Sequence, residues 1–599
     1  MFLNRRRICG LAVAASSAMA LAACGGSSTP ATGSQGFSNF NQGPQGGTKG
    51  GVLKVVGEGD LGNYDPQAVY DTNSFQVART YARQLYSNPS DNDASKRLAI
   101  VPDAAAGQPK VSDDHKSYTI TIRKGVKWNT GNGGRQVTAQ DFVRGLKMMC
   151  NPAAPFGGVG YFTDSIVGFA DFCTGLMKVD ADAAAIQAYV QDHQVSGLRA
   201  TDDKTLVITL LQPTSDFMHF LTLTAASARP VEEMQYVPDS PDYRQHLISD
   251  GPYQITSYTA DRSLTLQRNP VWEASTDSLR AAYVNEIDIT MGASQEGIQQ
   301  QIEAGTADVA LGNEPVPTAA LPGLIRSGDP QLHLNPTGGN NPYLVFNLLS
   351  PNAAVGNVKV RQALNYAVDK SAIVQLLGGP RLAQPYNQIF TPSAVGAGYK
   401  AIDPYPTKND AGDAAKAREL LKDAGYPNGV TLKFSYRASG NGPKIAAALQ
   451  QSVKAAGITL KLKPVPNRDY GDNYLAKTAI AKSGDWDIAE PGWGPDWEGA
   501  AERSYFTPLL DGRTYQDGSY NFGDYNNDAV NALADKAFAA TSADDATKYW
   551  QQAEALMMAD APWVPLVINE QASFVSKRVK NFEYSFIANG PDFTQIAVQ

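Results

Sequence analysis

Tyr118-Thr119-Ile120-Thr121-Ile122-Arg123-Lys124-Gly125-Val126-Lys127-Trp128 is the stretch on which the fold assignment turns. From Lys116 to Arg123 polar and apolar residues alternate, the period of a strand with one face buried and one face wet. Lys204–Leu210 repeats the texture and supplies a partner of the same kind. Between them the period lengthens. Ala139–Met149 carries its apolar residues at helical spacing, with Thr138 placed as N-cap and Asp141 at N3. Strands that alternate with amphipathic helices predict a mixed α/β protein.

The same reading extends in both directions. Val52–Val56 reads as a strand and Ser74–Leu85 as a helix. Tyr283–Met291, Ser294–Ala304 and Asp308–Leu311 form a compact strand–helix–strand passage. After residue 315 a strand at Tyr343–Leu348 is followed by helices at Val360–Val368 and Ala414–Ala424, the latter stopped by Gly425. Strands at Val430–Tyr436 and Thr459–Pro464 flank a helix from Pro443 to Ala456. Helices at Asp528–Ala539 and Asp544–Ala559 precede a strand-like segment from Val564 to Phe582. No repeat of 20–50 residues recurs, which argues against solenoids and propellers. A body of about 550 residues exceeds what one core sustains, so two or three domains are expected.

Upstream, Arg5, Arg6 and Arg7 precede an apolar run from Ile8 to Ala23, which ends Leu21-Ala22-Ala23-Cys24. That run is shorter than the roughly 20 residues of a membrane span and has the build of a secretory leader. Leu-Ala-Ala-Cys resembles the bacterial lipoprotein cleavage box, which implies lipidation of Cys24. Gly25–Gly51 is almost wholly Gly, Ser, Thr, Pro, Asn and Gln, a composition that cannot bury enough surface to order itself. It is read as a tether, 24–50, with a reach of roughly 30 Å. The expected location is therefore extracytoplasmic, on the outer face of the cell membrane.

The formal charge of −8 becomes more negative once the arginine-bearing leader is removed. No Lys/Arg run follows it, which argues against nucleic acid as a partner. Of four cysteines, Cys9 lies in the leader and Cys24 takes the lipid, leaving Cys150 and Cys173. In an oxidising compartment these two are expected to pair in a structural role, although two free thiols stay open.

Taken in order, the motifs resemble the extracytoplasmic solute-binding proteins of ABC importers, family 5, the oligopeptide/dipeptide/nickel class. The resemblance runs from Gly51 to about Tyr584 and rests on Asp65-Pro66, the Tyr118–Trp128 stretch, Val137–Val143 and Gly251-Pro252-Tyr253. It continues through Arg268-Asn269-Pro270, Val360–Asp369, Leu420–Gly429, Gly492-Trp493 before Asp496, and Ala561–Leu566. It implies a periplasmic-binding-protein-like type II fold: two lobes joined by a hinge, plus an extra subdomain in the first lobe. The implied division gives the first lobe residues 51–90, 226–315 and 565–599, with the extra subdomain at 91–225. The second lobe takes 316–564. It also implies a monomer that captures a peptide or other small solute, delivers it to ABC permease subunits and uses no cofactor.

Most of these motifs have a structural reading as well. Gly251-Pro252-Tyr253 is a turn into a strand, Arg361 with Asp369 a helix-positioning charge pair, and Trp128 and Trp272 are packing residues. Gly492-Trp493-Gly494-Pro495-Asp496-Trp497 is different, because glycines allow close backbone approach, aromatics make apolar walls and an acid stands among them. In peptide-binding members the matching aspartate pairs with the ligand α-ammonium group. The resemblance therefore makes Asp496 the amine anchor, with Gly492 and Gly494 as backbone contacts and Trp493 and Trp497 beside them. An ungapped match of the Asp65–Arg79 region adds Asp71 and Thr72 as main-chain partners. Pro495 departs from the pattern, since it removes a donor next to the anchor.

Enzymatic chemistry has no motif to carry it: Gly-x-Ser-x-Gly, His-Glu-x-x-His and a P-loop are all missing. The five histidines are scattered and no ligand-spaced His/Cys cluster points to a metal. Trp486, Trp493 and Trp497 keep an oligosaccharide open as the ligand, and the family's nickel-complex binders keep a metal chelate open. A sensor or interaction protein is the non-transport alternative.

Overall fold

The computed structural model describes residues 46–312, 316–317, 319–588 and 590–599. The leader, Cys24 and the tether as far as residue 45 lie outside the described residues.

Val52–Gly57 sits inside a five-stranded sheet and runs parallel to Glu286–Met291 on one side and Val309–Ala310 on the other. The helix Gln295–Glu303, capped by Ser294, makes the crossover between those two neighbours. Ser263–Arg268 and Tyr253–Thr259 extend the sheet antiparallel beyond Glu286–Met291. Alternation places Leu53, Val55, Leu264, Leu266, Ile287 and Ile289 in one buried layer, against Val77 and Ala78 of the helix Thr72–Tyr81. This is the core of the first lobe.

The extra subdomain is a four-stranded antiparallel sheet, in the order Lys110–Val111, Ser117–Thr121, Thr205–Thr209 and Leu198–Asp202. Its centre is the Tyr118–Trp128 stretch: Tyr118 pairs with Ile208 and Ile120 with Leu206. The helix Ala139–Met148 begins with the expected Thr138–Asp141 capping box. Cys150 and Cys173 are bonded, with Cα atoms 5.1 Å apart. In the chain-entropy account, closing a loop of this length contributes about 3 kcal/mol.

The second lobe is built on Ile458–Val465, Val430–Arg437, Ile488–Ala489, Tyr343–Phe346 and Trp563–Pro565. The first three run parallel, and Tyr343–Phe346 is antiparallel to both of its neighbours. Leu344, Phe346, Leu432, Phe434 and Ile488 meet Leu364 and Leu449 in its core. A three-stranded ribbon, Leu332–Asn340, Val567–Phe574 and Ala383–Pro385, connects this lobe with the first.

Several expectations are corrected. The segment Val564–Phe582 is three strands: the chain leaves the second-lobe sheet at Pro565, joins the connecting ribbon at Val567–Phe574, and then pairs Val579–Lys580 with Ala597–Val598. Arg361 does not pair with Asp369. Its guanidinium donates to the carbonyls of Val355, Gly356, Asp560 and Ala561, while Asp369 caps the next helix, Lys370–Leu376. The helix predicted over Ser74–Leu85 is Thr72–Tyr81, because Asp71 caps it early and Ala82 turns extended.

The first lobe is held by buried charge. Arg83 donates to Asp103 Oδ1 (2.7 Å) and Arg280 to Asp103 Oδ2 (2.8 Å), while Arg280 also reaches Asp277 (3.2 Å). All four side chains have 0% exposure. Burial pushes the Asp103 carboxyl up, but Arg280 and Arg83 outweigh it and bring it down to about 2.

Candidate functional site

The site forms on a loop that leaves the second-lobe sheet at Ala489, at the carboxyl end of its parallel strands. Crevices beyond the carboxyl ends of such strands are where open α/β sheets bind ligands. Tyr343 N–H donates to the Pro491 carbonyl (3.1 Å) and Trp493 N–H to the Asn340 carbonyl (3.0 Å), so the loop is pinned to the end of the connecting ribbon. Two glycines are needed for that approach. A Cβ on Gly492 would collide with the Asn341 side chain, and one on Gly339 with the Trp493 carbonyl. Gly494 is exposed and has room for a side chain. The far side of the loop is fixed by Gly499 N–H on the Ser393 carbonyl (2.7 Å) and Ala501 N–H on the Ala394 carbonyl (2.7 Å).

Three consecutive side chains of this loop cross to the first lobe. Asp496 is half-buried, and its Oδ2 accepts hydrogen bonds from Tyr70 Oη (2.7 Å) and Tyr161 Oη (2.5 Å). Trp497 is buried, with its ring 5.3 Å from Tyr161, 5.5 Å from Phe220 and 5.8 Å from His219, which lies nearly parallel to it. Glu498 takes a two-pronged contact from Arg97, Nε to Oε2 and Nη2 to Oε1, each 2.9 Å. Five positions further on, in the helix Glu502–Leu509, Arg503 donates to Asp216 Oδ2 (2.6 Å) and stacks over Phe538. The lobes are thus closed on each other, with this loop bridging them.

The acids differ in what neutralises them. Glu498 and Asp216 each face a guanidinium. Among the described residues no cation pairs with Asp496, whose partners are two neutral hydroxyls. Burial pushes its carboxyl up to about 6, against the lowering effect of Tyr161 and Tyr70.

The remaining expected site residues are placed as follows. Asp71 accepts from Ser74 N–H (2.9 Å) as the cap of the helix that Thr72 begins. Its neighbour Tyr70, which the sequence reading missed, reaches Asp496 together with Tyr161. Trp493 is half-buried, donates to the Ser504 carbonyl (3.0 Å) and lies 5.6 Å from Tyr520. Trp486 is fully buried, so of the three tryptophans considered for stacking only Trp493 keeps an accessible face. Tyr161, Arg97 and Asp216 were also missed, because nothing local marks a residue whose partner lies hundreds of positions away. Among the described residues no group of three or more His, Cys, Asp or Glu is arranged to hold a metal ion.

Buried acids give the closed form a pH signature. Burial raises Glu490, Glu502 and Asp250 to about 8, and Glu233, Glu554, Glu570 and Glu583 to about 7. These groups hold protons in the folded chain at pH values where the unfolded chain has released them, so stability falls as pH rises through 7 to 8. The buried histidines, His219 and His333, sit at about 4 and oppose this only below their ordinary range. The melting temperature of the unliganded protein is expected to be higher at pH 6.5 than at pH 8. A flat or inverted profile by calorimetry would contradict the burial of these carboxyls.

Comparison with known proteins identifies the family. Residues 99–515 match the family model described as bacterial extracellular solute-binding proteins, family 5 middle. Heme-binding protein A of Haemophilus influenzae is 27% identical over 536 residues, covering 87% of this chain and 88% of that protein. The periplasmic oligopeptide-binding protein OppA of the same organism is 24% identical, with 84% and 86% covered. The solved structure of clavulanic acid biosynthesis oligopeptide binding protein 2 superposes with a TM-score of 0.83 at 24% identity, covering 94% of this chain and 98% of that one.

Proposed function

Because this chain belongs to the bacterial extracellular solute-binding proteins, family 5, we propose that it is the lipid-anchored capture component of an ABC importer for short peptides. The lobes divide at the boundaries given above, with the extra subdomain at 91–225, and part about the connecting ribbon. An extended peptide enters, its α-ammonium group meets Asp496, and its main chain lies along the backbone at Gly492 and Gly494 and beside Asp71 and Thr72 of the opposite lobe. Closure brings Tyr70 and Tyr161 over it, beside Trp497 of the Asp496 loop. The protein is a monomeric carrier, not an enzyme. Cys24 moors it to the outer face of the cell membrane, where permease subunits receive the solute.

The observation that supports this reading most strongly is the Asp496 carboxylate, directed across the cleft with no cation of its own. An ammonium group supplies the missing charge and displaces two hydroxyl donors that are weaker partners than an ion. Closure follows as a population shift driven by the ligand's extra affinity for the closed form.

The test is a thermal-shift screen of free-amine tripeptides, oligosaccharides and metal chelates. A ligand present at 100 times its Kd stabilises by about 2.7 kcal/mol, well within reach of such a screen. Shifts with tripeptides are expected. Shifts confined to sugars, such as would stack on Trp493, or to chelates would replace the peptide reading with one of those.

A further inference from the structure

Glu490 precedes the anchor loop by one residue and directly follows Ala489, at the carboxyl end of the parallel strands. Only 5% of it is exposed, and its Oε2 has no hydrogen-bond partner. Tyr470 Oη donates to the Ser435 carbonyl (2.8 Å) and accepts the Glu490 N–H (2.8 Å). Arg437 is the charged group that acts on Glu490, yet it donates to Asn467 Oδ1 (3.0 Å) and lies 4.7 Å over the Tyr470 ring. It forms no ion pair with Glu490.

A buried acid with an unused oxygen is costly, and a glutamine of the same shape would avoid the charge. An acid at this position gains only if a cation arrives. Within the peptide reading above, on which this step rests, we propose that Glu490 is the floor of a second subsite that takes a lysine or arginine side chain of the ligand held at Asp496. The preferred solute is then a basic peptide, with its amino terminus on one carboxylate and its cationic side chain on the other. The spacing suits this. Positions 490 and 496 stand six residues apart on one loop, so they are separated by at most about 20 Å. While the cleft is empty, burial keeps the Glu490 carboxyl protonated, with its titration raised to about 8, and an incoming ammonium or guanidinium would ionise it.

The experiment is calorimetric titration of the intact protein with Ala-Ala-Ala, Ala-Lys-Ala, Ala-Ala-Lys and Ala-Ala-Glu, repeated on Glu490→Gln. The wild type is expected to bind at least one lysine peptide about tenfold or more tighter than Ala-Ala-Ala. Glu490→Gln is expected to erase that margin and leave Ala-Ala-Ala affinity within about threefold, which also shows that the variant is folded. A wild type that binds Ala-Ala-Ala without a lysine preference, or a variant that keeps the preference, overturns the Glu490 subsite and leaves the peptide reading standing. Failure of the wild type to bind any of the four overturns both.

Discussion

Replacing Asp496 by asparagine is expected to weaken binding of a free-amine tripeptide by about 30-fold to several thousandfold, the 2–5 kcal/mol typical of breaking a desolvated charge pair. The substitution is nearly isosteric. Its amide oxygen can still accept from Tyr70 or Tyr161, so the contact across the cleft survives in part while the charge is lost. The unliganded variant should be no less stable than the wild type, because the carboxyl it replaces is already pushed up to about 6 by burial. Equal melting temperatures with a collapsed affinity would therefore separate the anchor from a general folding role. Unchanged affinity would mean that Asp496 only joins the lobes and that the ligand is held elsewhere.

Asp103→Asn is expected to destabilise the first lobe by about 3–5 kcal/mol, because it leaves two buried guanidinium groups with Asp277 as their one remaining charged partner in the network. Arg83 and Arg280 have no water to turn to, since both side chains have 0% exposure. The sign with pH follows from the lowered carboxyl. The pair's contribution is complete above the ordinary aspartate range and is lost as pH falls toward 2. Urea unfolding near neutral pH would measure the loss. A double replacement, Arg83→Met with Asp103→Leu, should cost less than the sum of the single changes, since it removes the charges together. A loss below about 1 kcal/mol for Asp103→Asn would show that the network is solvated in solution.

What was legible in the sequence was local. The Thr138–Asp141 capping box, the Gln295–Glu303 crossover helix and the paired strands at 117–121 and 205–209 each carry their signal within about ten residues, and each formed where expected. Arg361 and Asp369 show where local reading fails. Eight positions apart, they would share a face of one unbroken helix, but the helix ends at Ala367 and Asp369 is used to start another. The strand Leu332–Asn340 was not anticipated because Pro336, Gly338 and Gly339 read as breakers, and its pairing comes from Val567–Phe574, far along the chain. The site divided in the same way. Asp496 and its loop were proposed from a motif. Tyr70 and Tyr161 come from 426 and 335 positions away and are joined to it only by the fold.

The most direct measurement is the affinity of one tripeptide with its amino group free and with the same group acetylated. Acetylation removes the positive charge and adds bulk at a single end while leaving the rest of the main chain to make its contacts. The account predicts that the acetylated peptide binds at least about a hundredfold more weakly to the wild type, and that this gap closes in Asp496→Asn. Equal binding of the two peptides by the wild type would contradict it.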